Sequence, residues 1–76
     1  MIDKVHIAMT NSFNIIVLGY DLEEIMSQRN NFLAHNPLKR YPSMRDLKNI
    51  LEYFINQEDY HKCAALQKYI EKNQTP

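Results

Sequence analysis

Only one glycine, Gly19, and three prolines, Pro37, Pro42 and Pro76, punctuate this chain of 76 residues. So little glycine leaves no material for a flexible linker and excludes the glycine-rich loop that cradles a phosphate. Cysteine is almost absent as well. Cys63 alone cannot form an internal disulfide, and its place inside a helical pattern suits a small buried side chain in a reducing compartment. Neither sign of charge prevails, since nine Lys and Arg balance nine Asp and Glu, so no global field draws the chain onto nucleic acid. Long apolar runs are missing too. The longest, Ile15 to Leu18, falls far short of the roughly 20 residues that cross a bilayer, and its flanks are not those of a signal peptide. These absences predict one small domain over residues 1–76, with no membrane association and a cytoplasmic location.

What is present is an ordinary globular balance, 45% hydrophobic and 24% charged, arranged mainly at helical spacing. The clearest segment is Ser43 to Lys72. Ser43 is placed to cap a helix, with Asp46 as its reciprocal partner, and Met44, Leu47, Ile50, Leu51 and Phe54 recur at intervals of three and four. Asn56-Gln57 ends that helix. Glu58 and Asp59 open the last one, where Tyr60, Cys63, Ala64, Leu66 and Ile70 form the expected inward stripe and Glu58 can pair with Lys62. The pattern predicts an antiparallel helical hairpin over 43–72 in a mainly α domain. Small residues at 63 to 65 allow a close crossing, so leucine at Ala64 is expected to wedge the helices apart. Residues 74–76 are expected to fray.

The first half is harder to read. In residues 1–18 a short β-hairpin turning at Thr10-Asn11-Ser12 competes with a helix capped by Asn11 or Ser12, in which Phe13, Ile16, Val17 and Tyr20 share a face. Helix is the preferred reading. Gly19 marks a boundary, and Asp21 with Glu24 resembles a capping box, so a helix is predicted from Leu22 to Ala34 with Leu22, Ile25, Met26, Phe32 and Leu33 inward. Asn36-Pro37 stops it. Pro37 to Pro42 then reads as a bounded loop carrying Lys39, Arg40 and Tyr41.

Glu58-Asp59-Tyr60, Lys62-Cys63-Ala64, Leu66 and Ile70, with Leu47, Leu51 and Phe54 upstream, give this segment a resemblance to the UVR motif. That short helical hairpin of nucleotide-excision-repair and chaperone-associated proteins mediates protein contacts, often self-complementary ones. The chain departs from the motif at Gln67 and Lys68, where the family carries an arginine and an acidic residue, and at Cys63, where it carries alanine. In length and in the run from Tyr41 to Lys72 the chain also resembles the small accessory proteins encoded beside the UvsW helicase in T4-like bacteriophages. That resemblance implies a setting of DNA replication, recombination or repair in a host-cell cytoplasm, single-stranded nucleic-acid binding, and the helicase as a candidate partner.

Catalysis and metal binding have little support in the residues themselves. His6, His35 and His61 lie far apart, none at the spacing that puts two ligands on one helical face, and Cys63 has no second cysteine. A core thiol, surface histidines and no cofactor are the expectation, and the chain is not read as an enzyme. The basic loop is the better candidate. Lys39 and Arg40 can neutralise phosphates, Tyr41 offers a ring for stacking, and Arg45 and Lys48 extend the track along the next helix. Lys62, Lys68 and Lys72 form a second basic stripe. The alternative is a protein-docking module without nucleic-acid binding of its own, using Tyr53 and Tyr69 as exposed anchors. A homodimer through the hairpin is a third reading.

Overall fold

Four helices are described in a computed structural model that covers residues 3–39 and 41–73: α1 (Lys4–Ile16), α2 (Leu22–Met26), α3 (Met44–Asn56) and α4 (Tyr60–Asn73). Arg40 and the expected fraying at 74–76 lie outside the described residues. No strand occurs among those described, so the amino-terminal segment is the helix and not the hairpin. Its cap is not the one expected. Asp3 starts α1 by accepting the His6 N–H at 3.0 Å, an aspartate in the position where its carboxylate satisfies a first-turn donor. Asn11 and Ser12 therefore lie inside the helix, buried at 8% and 0% exposure. Gly19, at φ +75°, lets the chain leave α1, and the Tyr20 N–H returns to the Asn14 carbonyl at 3.0 Å.

The second helix is much shorter than its apolar spacing predicts. Asp21 caps it through the Glu23 N–H, but it closes at Met26 and not at Ala34. Local side chains compete for its carbonyls: Ser27 Oγ donates to Glu24 O at 2.8 Å and Asn31 Nδ2 to Met26 O at 2.9 Å. The chain then runs irregularly across α1, where Asn11 Nδ2 donates to the carbonyls of Asn30 and Phe32 at 3.2 and 3.1 Å. Of the expected inward stripe only Ile25 is fully buried. Met26 and Phe32 are exposed, and the Lys4 ammonium lies 5.6 Å from the Phe32 ring.

The carboxy-terminal hairpin follows its pattern more closely. Ser43 Oγ accepts the Asp46 N–H at 3.1 Å, although Asp46 makes no reciprocal side-chain bond among the described residues. Leu47, Ile50 and Phe54 are buried from α3, Cys63 and Leu66 from α4, and Phe13 of α1 completes this core. Phe54 meets Phe13 edge-on at 5.8 Å and Tyr53 at 5.1 Å between centroids. The Lys62 ammonium lies across both phenylalanines, 5.7 Å from Phe13 and 5.6 Å from Phe54, while pairing with Asp59 at 2.9 Å. That pair replaces the expected one with Glu58. Hydrogen bonds from Lys62 hold the Asp59 carboxyl below its usual pKa.

Glu58 instead occupies the turn. At φ +58° it sits in the left-handed region, with its N–H on Ile55 O and the Asp59 N–H on Phe54 O, both at 3.0 Å. This is a Schellman closure with glutamate where glycine is favoured. The register of α4 also differs from expectation. Tyr60 is 64% exposed and Ala64 is exposed, whereas Ala65 and Tyr69 turn toward the core with Ile70. Ala64 thus has no partner helix to push, and leucine there cannot act as a wedge. Buried Cys63 carries a thiol whose pKa is pushed up by desolvation, with Asp59 adding to the shift, which makes it a poor nucleophile.

Candidate nucleic-acid interface

Two helix ends and one loop build the surface that carries the sequence-predicted residues. The loop is held by Asn36, whose Oδ1 accepts the Leu38 N–H at 2.9 Å and whose carbonyl accepts the Lys39 N–H at 3.3 Å. That turn presents Lys39 outward. Pro42 and capped Ser43 bring the chain into α3, and the three-residue turn at 57–59 returns α4 beside it. The start of α3 therefore faces the end of α4, and Met44 and Leu47 share a cleft with Tyr69 and Ile70.

This cleft, of about 360 Å³, is bordered also by Tyr41, Pro42 and Lys72. It has a neighbour on each side. Beyond Pro42 and Tyr69, which line both, a second cleft of about 240 Å³ contains His35, Leu22 and Lys39. Beyond Met44 and Ile70, again shared, a third of about 330 Å³ contains Lys48, Leu51 and Glu71. One lysine therefore stands in each of three adjoining clefts. Tyr69 lies between the first two, and Tyr41, 65% exposed, stands at the edge of the central one.

Of the five residues expected to contact nucleic acid, the clefts join Lys39, Tyr41 and Lys48. Arg45 is exposed on α3 but lines none of them, and Arg40 lies outside the described residues. Lys39, Arg45 and Lys48 make no ion pair among the described residues, so their charge is not spent on a neighbouring carboxylate. The second expected stripe does not stay whole, because Lys62 is engaged with Asp59 and the Phe13 and Phe54 rings. Only its far end, Lys72, reaches the clefts.

The two tyrosines expected as exposed anchors are both half-buried. Tyr53 is covered by the start of α1, where its Oη lies 2.7 Å from His6 Nδ1 and its ring tilts against the imidazole. Burial, aided by Asp3, raises its phenol pKa. Tyr69 packs on the core and presents its remaining surface to the clefts. His35, expected at the surface, is also half-buried, with Nδ1 2.7 Å from Ser12 Oγ. Desolvation lowers its pKa, with Asp46 acting in the opposite direction. Serine and histidine here do not make a nucleophilic pair, because Ser12 is wholly buried and no substrate can reach it.

Met44, Ile70 and Pro42 join the surface without having been singled out for it. The first two fall on the core stripes, and the sequence carries no signal that they stop short of full burial at the open end of the hairpin. Among the described residues no three His, Cys, Asp or Glu side chains gather as metal ligands, and no helix is long and apolar enough to cross a membrane. No family model matches the chain, and no similar protein was found among curated proteins or solved structures.

Proposed function

We propose that the chain is a non-enzymatic binding module that holds a single nucleic-acid strand weakly across the three clefts at the open end of the α3–α4 hairpin. One observation carries this reading: Lys39, Lys72 and Lys48 stand one to a cleft, with the Tyr41 and Tyr69 rings among them. A single strand needs cations along its backbone and flat rings for its bases, and this surface offers both. Arg45 adds charge beside the track, whereas Glu71 subtracts some near Lys48. With so few phosphate contacts the affinity belongs in the micromolar range or weaker and falls with salt, by about −0.7 in log K per log salt for each contact. The resemblance of residues 41–72 to phage accessory proteins supports a setting in DNA replication, recombination or repair, within a host-cell cytoplasm.

Titration of a labelled single-stranded oligonucleotide at low salt tests the proposal. Lys39→Ala/Lys48→Ala is expected to weaken binding about tenfold or more and to flatten the salt dependence; affinity equal to wild type overturns it.

A second reading has its own observation. Leu38, at 92% exposure, and Tyr41, at 65%, are two exposed apolar residues near each other in sequence, which suits a protein partner. In this reading the hairpin docks a helicase or another repair protein, in the manner of the UVR motif. Pull-down of such a helicase that survives Leu38→Ser/Tyr69→Ala rules out this face, and sedimentation at rising concentration separates a homodimer.

A further inference from the structure

Among the described residues Ser12 is the polar one most completely removed from water, and both of its described partners come from the segment that follows α2. Its Oγ accepts the Ala34 N–H at 2.7 Å and lies 2.7 Å from His35 Nδ1. The hydroxyl accepts from Ala34 and keeps its own proton, which it donates to Nδ1 in the tautomer that leaves that nitrogen bare. A neutral imidazole that accepts at Nδ1 carries its hydrogen on Nε2.

That second nitrogen has no protein partner among the described residues, and it is not closed off from solvent. His35 also borders the cleft of about 240 Å³, so Nε2 is the ring nitrogen left for an occupant. The walls are polar and apolar in about equal measure: Ile16, Leu22, Pro42 and Tyr69 supply the apolar part, and Lys39 brings a cation to the same cleft. The space is smaller than the roughly 300–1,000 Å³ typical of drug-sized ligands. It suits one flat heterocycle: apolar faces for its ring, a fixed N–H for an acceptor on its edge, and an ammonium for the attached phosphate.

We propose that this cleft is a pocket for a single nucleobase, hydrogen-bonded by His35 Nε2 from a ring that Ser12 holds in place. The inference rests on the nucleic-acid reading above and names where one base of the strand goes. Every nucleobase carries a ring nitrogen or carbonyl acceptor, so the pocket accepts any of them while rejecting a backbone without bases. Lys39 and Asp46 are the charged groups facing His35 from the loop and from α3.

The test compares a single-stranded oligonucleotide with an abasic strand of the same length and with a free nucleoside monophosphate. Binding is followed by fluorescence anisotropy and by the ¹⁵N shift of the His35 ring. The base-bearing strand is expected to bind wild-type protein about tenfold or more tightly than the abasic one, and to move His35 Nε2 and the Leu22 methyls where the abasic strand does not. His35→Gln, and independently Leu22→Trp to fill the cleft, are expected to bring that ratio close to one. Saturation of the same shifts by the monophosphate, with no preference for a strand, assigns the pocket to a free nucleotide and keeps its chemistry. Equal binding of the two strands by wild-type protein, with no shift of His35 Nε2 by the monophosphate, overturns the pocket and leaves the binding module standing on its phosphate contacts, whereas binding of neither strand overturns both.

Discussion

The hairpin at 43–73 and the stretch at 20–39 are held by different forces. The hairpin is a hydrophobic structure, in which Leu47, Ile50, Phe54 and Leu66 are buried to 4% exposure or less, and apart from the Tyr53–His6 bond the polar bonds described for it lie at its caps and turn. The earlier stretch has Ile25 as its only fully buried residue and is tied to α1 by hydrogen bonds that Asn11 donates and one that Ser12 accepts. Apolar burial is non-directional and repeats with the helix, whereas a buried amide or hydroxyl fixes one particular carbonyl or N–H. The first therefore makes a scaffold and the second sets the position of a loop. Both borders of the proposed interface follow from this division, since the hairpin supplies Lys48, Tyr69 and Lys72 and the stretch supplies His35 and Lys39.

The hairpin side of the comparison breaks hardest at Phe54. It is 1% exposed, meets two aromatic rings edge-on, and lies under the Lys62 ammonium. Phe54→Ala is expected to cost about 3–5 kcal/mol, the range for an aromatic removed from a core that cannot collapse. For a domain whose whole stability lies near the low end of about 5–15 kcal/mol, that leaves a large unfolded fraction at room temperature. Urea unfolding followed by far-ultraviolet circular dichroism measures it, and a loss below about 1 kcal/mol would show that the hairpin does not depend on this core.

Ser12→Ala probes the other side. It removes little volume but leaves the Ala34 N–H and His35 Nδ1 without the hydroxyl they share, a cost of about 1–3 kcal/mol. The informative quantity is where the loss falls. Amide exchange at Ala34 is expected to quicken beyond the global change, while Phe54 and Leu66 keep the protection set by global unfolding. Uniform acceleration across both regions would erase the distinction between them.

The same division explains what could be read in advance. Met44, Leu47, Ile50, Leu51 and Phe54 announce α3 through spacing alone, and Ser43 marks its start. Leu22, Ile25, Met26, Phe32 and Leu33 carry a similar spacing, yet the helix ends at Met26 because Ser27 and Asn31 take its carbonyls, a competition that periodicity does not register. In α4 the apolar and small residues occupy more than one row, so Tyr60 and Ala64 read as inward as easily as Ala65 and Tyr69. Lys39, Tyr41 and Lys48 were legible as a basic and aromatic cluster. Their union with Ile70 and Lys72 depends on the far end of α4 returning to the start of α3. His35 was not legible as part of the site, for its fixing partner lies 23 positions earlier on another helix.

The smallest expected effect has the opposite sign and concerns the hairpin's one local compromise. Gly19 takes a positive φ at the end of α1 without penalty, but Glu58 takes φ +58° at the end of α3 with a side chain attached. A left-handed L-residue costs roughly 1–2 kcal/mol, and its neighbours must impose it. Here the Schellman bonds to Ile55 and Phe54 do so, anchored by the buried Phe54 itself. Glu58→Gly relieves the strain while adding flexibility to the unfolded chain, and the balance is a gain of about 0.5–1 kcal/mol. The thermal midpoint should therefore rise by a few degrees, with the amide pattern of 20–39 unchanged. If the midpoint falls, the glutamate side chain contributes something at the turn that outweighs its backbone strain, and the hairpin is not held by apolar burial and backbone closure alone.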